Sequence, residues 1–196
     1  MFNIVVFGAP GSGKGTQSAK LIEKYGLHHI STGDVLRQHI KNETELGKIA
    51  NEYISKGQLI PDNLMIDILE HELDNNSKTE SGVIFDGFPR TIPQAIALDE
   101  LLERRGAKVN VVVGLELDDD ELIDRMLKRG QETGRADDNI ETITNRLKVY
   151  HNQTQPLKEF YHGGKRYHKI KGHGHIDSIF ADIAEVIDTI LKENQD

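Results

Sequence analysis

The sequence predicts a three-layer α/β fold built on a parallel sheet, and three observations carry that expectation. Short apolar runs alternate with long helical patterns, a glycine-rich loop joins the first of each, and the closing helix has one apolar face. Ile4-Val5-Val6-Phe7 reads as a buried first strand. From Lys14 the residues Ala19, Leu21, Ile22 and Tyr25 recur at helical spacing, and Gly26 stops the helix. Residues from about Thr32 to Ile60 hold two helical patterns with little strand character, a helical insertion between the second and third strands. Val83-Ile84-Phe85, Val109 to Leu117 and Tyr167 to Ile170 supply further strands. In the last helix Ile176, Ile179, Phe180, Ile183, Ile187, Ile190 and Leu191 line one face, while Asp177, Asp182, Glu185 and Asp188 face water. No repeat and no long linker divides the chain, so residues 1–196 are expected to form a single domain.

Composition narrows the function classes. With 37% hydrophobic residues in 196, the chain can bury one substantial core. It lacks a long apolar run and a basic-then-apolar leader, so a soluble, unprocessed, cytoplasmic protein away from membranes is expected. Zero cysteines exclude disulfides, thiolate zinc sites and cysteine nucleophiles. A net charge of -8 argues against non-specific nucleic-acid binding, which needs a basic face to displace counterions.

The chemistry starts at Gly8-Ala9-Pro10-Gly11-Ser12-Gly13-Lys14-Gly15-Thr16, between strand and helix. Glycines let backbone N–H groups approach phosphate oxygens, the helix start adds partial positive charge, and Lys14 can reach the β and γ phosphates. The position after Lys14 is Gly15, where a hydroxyl meeting Mg2+ is usual. Either Thr16 supplies that hydroxyl, or Mg2+ keeps more of its waters. A dinucleotide loop is excluded because Thr16 stands where a glycine or alanine is needed.

The arginines of interest are Arg37, Arg90, Arg125, Arg129, Arg135 and Arg146. Arg90 follows the carboxyl end of a strand, the side on which open α/β sheets bind ligands, and Asp86 tips that same strand. A carboxylate there is the expected Mg2+ partner, directly or through water. Gly130-Gln131-Glu132-Thr133-Gly134-Arg135-Ala136 interrupts two helical patterns, which fits a mobile flap or a plain interhelical turn. Asp137 and Asp138 either cap the next helix or, with the flap closed, hold its arginines and water bound to Mg2+. His173-Gly174-His175 lacks a third ligand for a metal, and Asp118-Asp119-Asp120 reads as a helix start.

Four segments together resemble the adenylate kinases: Gly8 to Thr16, Ile30 to Arg37, Asp86 to Gln94, and Gly134 to Asp138. The resemblance spans the chain and implies a five-stranded parallel sheet of the P-loop NTPase type. It also implies a nucleoside-monophosphate-binding insertion at 31–60 and a short lid at about 130–136, without zinc. It assigns Gly11, Ser12, Gly13, Lys14, Gly15 and Thr16 to the ATP phosphates. Arg125 would stack on the ATP adenine, and backbone near Gly174 would touch that base. Thr32, Arg37, Gln58, Leu59, Ile60, Gly87, Phe88, Pro89, Arg90 and Gln94 would surround AMP, with Arg37 and Arg90 on its phosphate and Gln94 on its adenine. Lys14, Arg90, Arg129, Arg135 and Arg146 form the implied catalytic set, Arg129 also on the ATP side, Arg135 and Arg146 also on the AMP side.

The reading is a monomeric phosphotransferase that moves the terminal phosphoryl of Mg-ATP to AMP, giving two ADP. A UMP/CMP kinase is the near rival. It usually has Ala where this chain has Thr32, and an Asn-rich segment where this chain has Thr91 to Gln94. A signalling switch would need guanine-reading and switch motifs that are absent, and a non-catalytic ATP-binding module has no need of Arg37, Arg90 and Gln94.

Overall fold

In the computed structural model, which describes residues 1–76, 79 and 81–193, five parallel strands lie in the order β2-β3-β1-β4-β5. The chain runs β1 (Asn3–Gly8), α1 (Lys14–Tyr25), β2 (His28–Ser31), α2 (Thr32–Lys41), α3 (Glu45–Ile54), α4 (Asp62–Asp74) and β3 (Val83–Asp86). It continues through α5 (Ile92–Glu103), β4 (Val109–Glu116), α6 (Asp119–Thr133) and α7 (Ile140–Val149). A π-helical turn (Tyr150–Thr154), α8 (Leu157–Gly163), β5 (Tyr167–Lys171) and α9 (Ile176–Glu193) complete it.

Parallel pairing explains why the central strands are apolar on both sides. Ile4 and Val6 join Ile84, Val111, Val113 and Leu115 in a core under α1 and α9; Val5 and Phe7 join Phe85 and Val112 in the core on the opposite face. Edge strand β5 buries only Ile170. Gly114 keeps β4 clear of its neighbour, since a Cβ there would stand 2.1 Å from the Tyr167 hydroxyl oxygen. From central β1 the chain leaves toward the β2 edge, and after β3 it crosses to the β4 side. Ligand crevices form outside the carboxyl ends of strands at such a reversal.

Three sequence expectations change in detail. Helix α1 has the expected limits, with Gly26 in a left-handed cap (φ 64°), but it buries Gln17, Ser18 and Leu21 while Ala19 and Ile22 are exposed. Gln17 is recruited because its Nε2 donates to the Ile176 carbonyl 3.1 Å away. For α9, Ile176 is exposed, because the first turn faces the cleft and the core contact begins at Ile179. The glycine-flanked segment is not a loop throughout. Helix α6 runs to Thr133 and includes Gly130, whose missing side chain admits the Asp138 carbonyl; a Cβ there would lie 2.8 Å from that oxygen. Only Gly134, a left-handed cap at φ 68°, breaks the helix.

Candidate active site

The phosphate loop lies between β1 and α1, at the centre of the crevice. Gly11 adopts φ 83°, and a Cβ there would approach Met126 Cγ at 2.9 Å, so this position needs both the conformation and the space of glycine. Ser12 is buried beneath the loop, its N–H donating to the Ala9 carbonyl at 3.1 Å. Lys14 Nζ donates to the carbonyls of Gly8 and Ala9, each at 2.9 Å. Gly13, Gly15 and the exposed Thr16 complete the rim. Asp86 ends β3 beside Gly15, 3.5 Å from His29 Nε2.

Two cavities meet over this loop. The first is lined by Thr32, Gln58, Leu59 and Ile60 from the insertion and by Gly87, Phe88, Pro89, Arg90 and Gln94 from the segment after β3. The second carries Gly11 to Gln17 together with Arg125, Arg129, Arg135 and Gly174. Lys14, Arg37, Arg90 and Arg146 line both. Although the chain carries a net charge of -8, cations from the loop, α2, α6, α7 and the turns between converge here.

Carboxylates and backbone carbonyls hold these cations in place. Arg129 makes a two-pronged bond to Asp138, Nε to Oδ2 at 2.6 Å and an Nη to Oδ1 at 2.7 Å. Arg146 reaches Asp137 Oδ2 at 2.9 Å and Asp138 Oδ1 at 3.0 Å, and Arg135 Nε lies 3.3 Å from Asp137 Oδ1. Helix α7 is capped instead by Asn139, whose Oδ1 accepts from Thr142 N–H at 3.0 Å. The two aspartates therefore hold arginines and leave the cap to their neighbour. Arg37 pairs with Asp34, and Arg90 donates from Nε to the Gly87 carbonyl at 2.7 Å. Arg125 is held by Glu121 Oε1 at 2.7 Å and the Gly172 carbonyl at 3.1 Å, near Gly174.

The protonation equilibria reflect this crowding. Burial, then Arg146, pull the Arg90 guanidinium down to about 10, with Asp86 opposing and Arg37 and Arg135 adding to the fall. Burial pushes the Asp138 carboxyl up, but Arg129 followed by Arg146 and Arg135 outweighs it and holds the group below its ordinary value. Burial pulls the Lys14 ammonium down to about 8; Asp86 opposes this, and Arg90, Arg146 and Arg129 add to it. In the free protein Lys14 thus loses its proton as pH rises through about 8. A polyphosphate favours the charged form, so binding above that pH must take up a proton. Affinity for a polyphosphate is expected to fall toward about tenfold per unit between roughly pH 8 and 9. Titration calorimetry in buffers of different ionisation enthalpy checks this; a dissociation constant flat across that range would contradict it.

Residues 6–166 match the family model described as Adenylate kinase. The chain belongs to the adenylate kinase family. It is 60% identical over 190 residues to the adenylate kinase of Bacteroides thetaiotaomicron, an alignment covering 97% of this chain and 100% of that one. It is 51% identical over 195 residues to the adenylate kinase of Azobacteroides pseudotrichonymphae, covering 98% and 100%. With the adenylate kinase of Porphyromonas gingivalis the identity is 50% over 192 residues, covering 98% of each. Membership makes the protein a nucleoside monophosphate kinase, a phosphotransferase.

For an adenylate kinase cleft, sequence reasoning missed the apolar lining of the first cavity, Leu36, Met65, Val149 and Tyr150. Each sits on an ordinary amphipathic helix or beside one, where pattern alone reads as core. It also missed the hydrogen bonds that fix Arg90. Gln94 Oε1 accepts from the Arg90 N–H at 2.8 Å and the Thr154 hydroxyl donates to the Arg90 carbonyl at 2.8 Å. The capping-box spacing Thr91-x-x-Gln94 announces only half of the first: Thr91 Oγ1 does accept from Gln94 N–H at 3.3 Å, but Gln94 Oε1 takes the N–H of Arg90, not that of the capping residue Thr91. The second depends on the π-helical turn, which nothing in the local sequence announces.

Proposed function

We propose that the protein transfers the terminal phosphoryl group of Mg-ATP to AMP, reversibly, to give two ADP, with ATP over the phosphate loop and AMP in the adjoining cavity. The observation that supports this most is the junction of the two cavities, where Lys14, Arg37, Arg90 and Arg146 line both sides. Two anionic phosphates brought to that junction would be aligned for in-line displacement. An AMP phosphate oxygen forms a bond to the γ-phosphorus as the bond to the β–γ bridging oxygen breaks, and no side chain is modified.

In this reading Gly11 to Thr16 and Lys14 hold the ATP phosphates, Arg125 and Gly174 flank its base, and Arg37 and Arg90 hold the AMP phosphate. Thr32, Gln58 to Ile60, Gly87 to Pro89 and Gln94 enclose the nucleoside. Arg129, Arg135 and Arg146 meet the charge spread over the moving group. Residues 31–60 act as the monophosphate-binding insertion and the turn around 130–136 as a short lid, whose closure excludes water and spares ATP from hydrolysis.

The donor set suits Mg2+: Asp86 offers a hard oxygen beside the phosphate loop. Among the described residues no group of three or more His, Cys, Asp or Glu is placed to hold a metal, so phosphate and water oxygens would complete the shell, with Asp86 reached directly or through water. When bound, Mg2+ neutralises charge on the β and γ phosphates. A cytoplasmic monomer serving adenine nucleotide balance completes the proposal. No helix among the described residues is long and apolar enough to cross a membrane.

Steady-state rates with ATP, Mg2+ and each monophosphate in turn test the reading. AMP is expected to give the highest kcat/KM, because a site that pairs with one base leaves polar groups unmatched against another. A higher value for CMP or UMP would transfer the assignment to a pyrimidine monophosphate kinase while leaving the family intact.

A further inference from the structure

We propose that Asp62 is a specificity-determining residue, locking the Gln94 side-chain amide in the orientation that pairs with a 6-amino purine and mispairs with a 6-oxo purine. The inference rests on the reading that Gln94 faces the base of the acceptor.

Gln94 lines the acceptor cavity and is only 1% exposed. Its Oε1 accepts from the Arg90 N–H at 2.8 Å, and its Nε2 donates to Asp62 Oδ1 at 2.8 Å. The Thr91 hydroxyl donates to the same carboxylate oxygen at 2.9 Å, which fixes Asp62 in turn. A primary amide can usually turn over at little cost, because its oxygen and nitrogen have nearly the same shape. Here both neighbours speak for one orientation. A backbone N–H only donates, and an ionised carboxylate only accepts. Turning Gln94 over would set donor against donor at Arg90 and acceptor against acceptor at Asp62, with little solvent to compensate. Each unmatched buried group disfavours the turned state by about tenfold or more.

The lock decides what remains for a ligand. Gln94 keeps one N–H and one lone pair, with their order along the amide fixed. The adenine edge offers an amino donor beside the N1 acceptor, whereas hypoxanthine, of almost the same size, offers an O6 acceptor beside an N1–H donor. A glutamine free to turn would pair with either base. One held by Asp62 and Arg90 pairs with the first and opposes the second.

The test compares kcat/KM for AMP and IMP as acceptors, together with calorimetric dissociation constants for both, in the wild type, Asp62→Asn and Asp62→Ala. Asparagine has the shape of aspartate and can keep the bonds from Thr91 and Gln94, but it can also turn to donate. Arg90 still opposes the turned amide, so discrimination is expected to fall without vanishing. The AMP:IMP ratio should drop about tenfold or more in Asp62→Asn, with tighter IMP binding. A purely structural Asp62 would lower the melting temperature and leave the ratio alone. A wild type that prefers AMP, with a ratio unchanged within about twofold in either folded variant, would overturn the lock. A wild type indifferent to AMP and IMP would remove the Gln94–adenine reading and the lock together.

Discussion

Lys14→Met is expected to abolish phosphoryl transfer while the sheet and helices remain. Nothing in the core depends on the ammonium. It bonds the Gly8 and Ala9 carbonyls and stands in the field of Asp86 and, against it, of Arg90, Arg146 and Arg129, so its loss removes two hydrogen bonds and the attraction of Asp86 but relieves desolvation and the repulsion of three arginines. The unfolding free energy should change by no more than about 1–2 kcal/mol. Catalysis has no such compensation, because a charge fixed beside the β and γ phosphates is worth most where water is excluded. Removing one such group costs about 10²–10³ in kcat, and a full positive charge belongs at the upper end. Circular dichroism and melting temperature establish the fold, and a coupled assay reads the loss. Near-normal turnover in a folded Lys14→Met protein would sink the phosphate-loop argument.

Arg135→Ala should lower kcat by about 10³ while weakening ATP binding only a few fold. Arg135 follows the left-handed cap at Gly134, and its buried Nε lies 3.3 Å from Asp137 Oδ1 as an ion pair, without a hydrogen-bond partner among the described residues. Burial pulls its guanidinium below the ordinary value, with Arg37 and Arg129 adding to the fall and Asp137 opposing it, so an anion brought into this cation-rich cleft would favour its charged form. An interaction made chiefly in the closed, reacting state lowers kcat and kcat/KM together when it is removed. Arg129 and Arg146 can take up part of the charge, which places the effect at the lower end of what arginines contribute to phosphoryl transfer. A variant whose only change was a raised KM for ATP would show that Arg135 holds nucleotide in the ground state and nothing more.

The two substitutions differ in how legible their sites were. Lys14 could be placed from sequence because the strand, the glycines and the helix that define its loop are contiguous, and each announces itself by local patterning. Arg135 was legible only as an arginine between glycines. That Gly130 belongs to helix α6, and is glycine because the Asp138 carbonyl lies against it, follows from a contact between segments that fold back on one another.

The sequence by itself determined the parallel α/β class, the phosphate loop, the helical insertion and the resemblance that the family comparison bears out. These rest on periodicity, turn chemistry and short motifs, which are properties of neighbouring residues. It could not decide whether Asp137 and Asp138 cap α7 or hold arginines, because both roles suit an aspartate before a helix. The tertiary structure decided it by giving the cap to Asn139 and setting the two carboxylates against Arg129, Arg135 and Arg146 from three different segments. Nor could it show Asp62 reaching Gln94 across 32 positions, Thr154 bonding the Arg90 carbonyl, or Gln17 replacing an apolar residue on the inner face of α1. Hydrogen-bond partners far apart in the chain leave no period to read. They exist only once the sheet has brought the carboxyl ends of its strands to one edge, where buried polar groups must find partners or be lost from the fold.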